Sequence, residues 1–216
     1  MVNILNNTDS ILNQFMSEIR DVEVQGDSLR FRHNMVRIGE IFAYEISKQL
    51  AYQTKEVSTT LGISNVPVLV QYPILATILR AGLPFHQGFL NFFDKSENAF
   101  ISAYRKSHKD RSFSMNIGYS SIPDVEGRVV ILCDVMVATG TSVVMAYKEL
   151  LTKGKPLHTH VVSIVASMEG LHNMKKYLPN DDTTIWLGGV DDELTAQAYI
   201  VPGLGDAGDL AYGKKI

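Results

Sequence analysis

The stretch VVILCDVMVATGTS, residues 129–142, limits the fold more than any other. Its first five side chains are apolar or a thiol, with no polar alternation, so this strand is buried on both faces. Strands of that kind belong to parallel sheets covered by helices on both sides. Other segments repeat the theme. VPVLVQYPILATIL (66–79), NAFISAYR (98–105), HTHVVSIVAS (158–167) and TTIWLGGV (183–190) read as strands. Residues 8–50 read as helical, with Ile11, Leu12, Phe15, Met16 and Ile19 on one stripe and Phe31, Met35, Ile38, Phe42 and Ile46 on the next. GLPFHQGFLNFF (82–93), SVVMAYKELLTKG (142–154) and EGLHNMKKYLP (169–179) read as further helices. The spacing predicts an α/β fold with a mainly parallel twisted sheet flanked by helices, and ligands gathered at the carboxyl ends of its strands. Lys106 to Asn116 reads as a polar connection, and the Gly-rich tail 198–216 as structured loop.

The chain of 216 residues is long enough for one sizeable core. Its net charge of −3 gives no global field to attract nucleic acid or an anionic membrane. There is no run of about 18 apolar residues, so no membrane span is expected. The first residues lack a basic start followed by an apolar run, so no secretory leader is expected. One cysteine, Cys133, excludes an internal disulfide and fits a reducing compartment. A cytoplasmic location is expected.

Asp134 ends the apolar run, and Ala138, Thr139, Gly140, Thr141 and Ser142 follow it before a helix begins. Helix N-termini offer unpaired N–H groups and a partial positive charge, and small residues let a phosphate approach them. There is no lysine, so this is not a GxxxxGK[ST] loop, nor is it GxGxxG. On the residues alone, two readings stay open: a phosphate cradle, or a plain βα turn capped by a hydroxyl. The GLGDAGD stretch at 203–209 is likewise either a ligand loop or a tight Asx turn. Gly203, Gly205 and Gly208 would let the backbone bend around a small flat ring. His158 and His160, two apart, are either two edge histidines or a metal pair. Asp181-Asp182 and Asp191-Asp192-Glu193 read as solvated turns, and Cys133 as a small core residue.

ILCDVMVATGTS resembles the phosphoribosyl diphosphate (PRPP) motif of the type I phosphoribosyltransferases, and more narrowly that of the uracil phosphoribosyltransferases. ILRAG (78–82) resembles their pyrophosphate-contacting segment, AYR (103–105) the strand with a second arginine, and YIVPGLGDAGD (199–209) their uracil-binding signature. These motifs span about residues 70–216, whereas the N-terminal third is similar only in helical character. Val135 stands where that family usually has proline, and Thr141 where it has a second glycine. Cys133 stands where many purine enzymes carry a second acid, which favours uracil over purines.

The resemblance implies a phosphoribosyltransferase fold with a small C-terminal base-binding hood. The expected layout is one domain over 1–216, with a mainly helical part at 1–65, a core with the PRPP loop at 66–180 and a hood at 181–216. It implies transfer of phosphoribosyl from PRPP to uracil, giving UMP and pyrophosphate, as in pyrimidine salvage. Arg80, Arg105 and Asp134 are the implied catalytic residues. The implied PRPP contacts are these three with Val135, Met136, Val137, Ala138, Thr139, Gly140, Thr141, Ser142 and Asp206. The implied uracil contacts are Ile200, Gly205, Asp206 and Ala207. Mg²⁺ is expected, bound mainly through PRPP, with no dedicated protein metal site. Partners are the two small substrates, GTP as a candidate effector, and further copies of the chain in a homodimer or higher homo-oligomer. A PRPP- or nucleotide-sensing regulator is the competing class. It should carry a basic face, which this composition does not suggest. A phosphoribosyltransferase for another base is the third reading, and the uracil-type tail counts against it.

Overall fold

The computed structural model describes residues 1–107 and 113–214, with side chains described outside 104–115. In chain order the elements are β1 (Val2–Ile4), α1 (Ile11–Arg20), α2 (Ser28–Ser47), β2 (Tyr52–Ser58), β3 (Ile63–Leu69), β4 (Ile74–Leu79) and α3 (Gly82–Phe92). There follow β5 (Asn98–Ser107), β6 (Phe113–Ser121), β7 (Val129–Val137), α4 (Thr141–Leu150), β8 (His158–Ser167) and α5 (Met168–Tyr177). The chain ends with β9 (Thr183–Asp191), β10 (Glu193–Leu194), β11 (Ile200–Val201) and α6 (Ala207–Tyr212).

Seven strands form one sheet in the order β1-β9-β8-β7-β4-β5-β6. Among the described residues its pairings are parallel except β5 with β6. The expected parallel α/β sheet is therefore present. Strand alternation along β7 feeds two cores. Ile131, Cys133 and Val135 pack with α1, α2, α3 and α6 on one face. Val130, Leu132 and Val137 pack with α4 and α5 on the other. This two-sided burial explains why β7 is apolar throughout.

The connections fix where a ligand can sit. After β4 the chain runs through α3 to β5; after β7 it runs through α4 to β8, on the other face and in the other direction along the sheet. β4 and β7 are neighbours, in register from Ile74↔Val130 to Thr77↔Cys133. Their carboxyl ends thus open a crevice at the point where the strand order reverses.

Capping helps set the helix starts: Ser10 and Asp27 accept from first-turn N–H groups of α1 and α2, and Ser167 does so for α5. Three parts of the chain differ from the sequence reading. β2 and β3 form an exposed antiparallel hairpin, Tyr52↔Leu69 to Ser58↔Ile63, where no first strand is expected. β2 is exposed throughout and β3 reaches the core only near its end, at Leu69, so no buried stripe marks the hairpin. The polar connection is in part strand, since β6 alternates Phe113, Met115, Ile117 and Tyr119 with small polar residues; residues 108–112 lie outside the described ones. The tail holds a two-residue ladder, β10 with β11, and the short helix α6 rather than loop alone.

Candidate active site

The loop after β7 is built from both ends. β7 runs three residues beyond Asp134, and Val135 and Val137, each 1% exposed, face opposite cores. Those two residues can therefore offer a ligand only backbone. Ser167 Oγ donates to the Ala138 carbonyl at 2.5 Å, and Asn173 Nδ2 donates to the Thr139 carbonyl at 3.0 Å. Gly140 then turns with φ +78°, a left-handed conformation that favours glycine. A Cβ there would sit 3.0 Å from the Gly170 carbonyl oxygen. With its carbonyls tied toward α5, the loop leaves the first-turn N–H groups of α4, which have no partner within the helix, to a ligand. The Thr139 and Thr141 hydroxyls lie 3.0 Å apart. Thr141 is exposed, so its bulk relative to glycine meets no core.

Asp134 accepts from the N–H groups of Val135 and Met136. Burial pushes its pKa up to about 7, and those two bonds oppose the rise. The carboxylate is thus poised to change charge near neutrality. Cys133 beside it is fully buried, and burial raises its thiol pKa well above the usual range, so it is an inert core residue.

The opposite wall comes from β4 and the tail. Arg80 follows β4 across a cis Leu79–Arg80 peptide, and its Nη2 lies 3.3 Å from Asp209 Oδ1. Asp206 caps α6 by accepting from the Asp209 N–H at 2.9 Å. Between the walls lies a cleft of about 740 Å³. Arg80, Asp134, Val135, Met136, Ala138, Ser142, Ile200, Gly205, Asp206 and Ala207 line it. An adjoining cavity of about 330 Å³ shares Asp134 and Met136 and adds Val137, Thr139, Gly140 and Thr141. The expected site residues therefore converge from β4, β7, the α4 start and the tail. The exception is Arg105: its backbone pairs with Met115 between β5 and β6, and its side chain lies outside the described ones. Among the described residues, no group of three or more His, Cys, Asp or Glu is placed to hold a metal ion.

Sequence reasoning missed part of the cleft. Gln197, Ala198 and Tyr199 wall it from the hood, and Ser102 and Ala103 from the middle of β5. TAQA at 195–198 is short and small, and only Tyr199, at the edge of the tail signature, carries a signal. Two side readings need correction. Asp191 is not a solvated turn residue: it is 7% exposed and ion-paired to Arg20 at 2.8 Å. His158 and His160 are not at an edge, because β8 lies inside the sheet. His160 accepts from Trp186 Nε1 at 3.1 Å, and burial pushes its pKa down to about 3. Both histidines lie at the start of β8, away from the cleft at the strands' carboxyl ends.

A family model described as "Uracil phosphoribosyltransferase" matches residues 7–214. A uracil phosphoribosyltransferase of Porphyromonas gingivalis is 53% identical over 208 residues, covering 96% of this chain and 95% of its own. One from Pyrococcus furiosus is 32% identical over 206 residues, covering 94% of this chain and 86% of its own. A solved structure of an Aquifex aeolicus protein superposes with a TM-score of 0.86 at 29% identity, covering 99% of this chain and 98% of that one. The similarity thus reaches the N-terminal helices as well as the four motifs around the cleft. Over nearly its whole length, this chain belongs to the uracil phosphoribosyltransferase family.

Proposed function

We propose that the cleft transfers phosphoribosyl from PRPP to uracil, giving UMP and pyrophosphate, as in pyrimidine salvage. The observation that carries this is the meeting of the β7–α4 loop, Asp134, Arg80 and the 200–208 segment around one cleft in a chain of this family. The α4 N-terminus with Thr139, Thr141 and Ser142 holds the 5′-phosphate. Asp134 accepts from the ribose hydroxyls, most strongly as the carboxylate. Breaking the bond at C1′ builds positive charge on the ribose while pyrophosphate leaves with negative charge. Arg80 and Arg105 present planar donor forks to that leaving group, where stabilisation lowers the barrier. To reach pyrophosphate, Arg80 exchanges Asp209 for phosphate oxygens.

Asp134 and Asp206 are hard oxygen donors on the cleft wall and suit Mg²⁺ with its waters, the ion being carried chiefly by PRPP. When bound, Mg²⁺ would neutralise charge on the diphosphate. Backbone groups of Ile200 and of Gly205 to Ala207 read the carbonyl and N3–H edge of uracil. Incubation with PRPP, Mg²⁺ and each nucleobase in turn tests the reading: UMP from uracil is expected, and a nucleotide of another base alone would overturn it.

The finer expectations attach to the same reading. Residues 1–65, 66–180 and 181–216 act as buttress, PRPP core and hood of one domain. A homodimer or higher homo-oligomer is supported by the β2–β3 hairpin, a ribbon with Leu61 98% and Ile63 71% exposed. Two strands with so little core are marginal alone and gain by covering. Light scattering gives the assembly, and rates with and without GTP decide its part as effector. The lone buried thiol supports a cytoplasmic location, testable by fractionation.

A further inference from the structure

Arg20, the last residue of α1, makes a fork to Asp191 at the end of β9, 171 residues away. Nη1 meets Oδ2 at 2.8 Å and Nη2 meets Oδ1 at 2.9 Å. The same Nη1 donates to the Gly203 carbonyl at 2.9 Å, and the Gly203 N–H donates to Asp191 Oδ2 at 2.8 Å. Both polar groups of that residue are thus held by one ion pair. Gly203 turns with φ +59°, two residues before Gly205 enters the cleft wall.

The rest of the hood has few other directional ties: Asp206 caps α6, and the partly exposed Asp209 pairs with Arg80 at 3.3 Å. β10 and β11 pair over two residues, and α6 is a helix of six. Ile200, Leu204, Ala207 and Ala211 anchor it in the core, but apolar contacts are non-directional and tolerate sliding. A base read by backbone groups allows no such slack, since a main-chain group cannot change rotamer to recover a lost bond. Charge-assisted forks supply direction as well as attraction. A second arginine acts on the far side, where Arg32 Nη1 of α2 donates to the Ala211 carbonyl at 2.7 Å. Neither Arg20 nor Asp191 lines the cleft.

We propose that Arg20 and Asp191 are positioning residues for base recognition: through Gly203 they set where the Gly205–Ala207 backbone meets uracil, and they act far less on the PRPP half, which meets this segment only at Asp206. This rests on the uracil reading above. The test uses the full chain with Arg20→Lys, Arg20→Gln and Asp191→Asn, measuring kcat, both KM values and melting temperature. Arg20→Lys keeps the charge but loses the fork. Arg20→Gln and Asp191→Asn each remove one charge. We expect kcat/KM for uracil to fall by about tenfold or more, the scale set by small misplacements at reacting geometry. KM for PRPP should stay within about twofold, a change too small to reflect a lost contact. Arg20→Lys should retain more uracil use than Arg20→Gln. Lower melting temperature with both KM values unchanged would overturn the proposal, as would equal weakening of both substrates. If no variant folds, the pair is structural and the proposal falls. Wild-type enzyme that makes no UMP would instead sink the functional reading, so the two failures are distinguishable.

Discussion

The loop between β7 and α4 and the C-terminal hood face each other across one cleft, and different forces hold them. The loop continues a strand buried on both faces, with Val135 and Val137 locked into opposite cores and its carbonyls tied to α5. The hood leaves the main sheet where β9 ends at Asp191, and only short elements follow. It is held to the helical N-terminal part and β9 by Arg20, Asp191 and Arg32, around a few apolar anchors. A charged, low-specificity ligand such as a phosphate is served by a rigid nest of N–H groups. A small flat base needs an edge read in register, and directional polar clamps suit that task. Arg80 with Asp209 joins the two sides.

The largest expected effect tests the hood. Cytosine replaces the O4 acceptor by an amino donor and the N3–H donor by an acceptor. Sites built to hydrogen-bond a substrate group reject such analogues by roughly 10⁴–10⁵. Relative kcat/KM should show uracil and 5-fluorouracil accepted and cytosine refused. Comparable values would mean that backbone groups do not read the edge. Ala207→Pro, which deletes an N–H, should hurt uracil use far more than Ala207→Ser.

Next comes the leaving-group wall. Arg80→Ala should lower kcat by about 10²–10³, the usual loss on removing one transition-state donor. Uracil affinity should change much less. Losing both equally would show that Arg80 holds the hood through Asp209 rather than serving pyrophosphate.

Asp134 sharpens the comparison on the phosphate side. As its pKa lies near 7, raised from the ordinary 3.8, protonation sets in as pH falls through neutrality. KM for PRPP should then rise by up to about tenfold per pH unit on the acid side, following the titrating fraction. Stability has the opposite sign. Between the unfolded pKa and the folded one, the native state binds the extra proton, so stability falls as pH rises through that window and levels off above it. Asp134→Asn should flatten both profiles, read as KM and melting temperature between pH 5 and 8 on the scale of that titration. A wild-type profile already flat would remove Asp134 from the ribose.

The smallest effect concerns the link. Asp209→Asn removes a partly exposed partner of Arg80, and such pairs are worth about 0–1 kcal/mol. KM for PRPP should fall by no more than about fivefold, since Arg80 no longer leaves a carboxylate to reach phosphate. A rise would show that Asp209 instead orients Arg80 for its ligand.

The sequence was most legible where one force dominated. Continuous apolar runs announced β4, β7, β8 and β9, because a strand covered on both faces has no polar side to show. The small residues after Asp134 marked a loop open to a ligand, because N–H groups can be approached only where bulk is absent. β2 was illegible for the complementary reason: it is exposed throughout, so no stripe records it. β6 hid its alternation among serines, asparagine and glycine.

What the sequence by itself determined was the sheet's chemistry and, through the motifs it shares with a known family, many of the residues that line the cleft, since burial patterns and motifs are written locally. What only the tertiary structure decided was the partnership of distant charges. Arg20 ends a helix and Asp191 starts an acidic triplet, and each reads alone as ordinary surface. Their pairing through Gly203 depends on α1 crossing the end of β9. Ion pairs carry no periodicity along the chain, so which arginine meets which aspartate is settled only once the layers have packed.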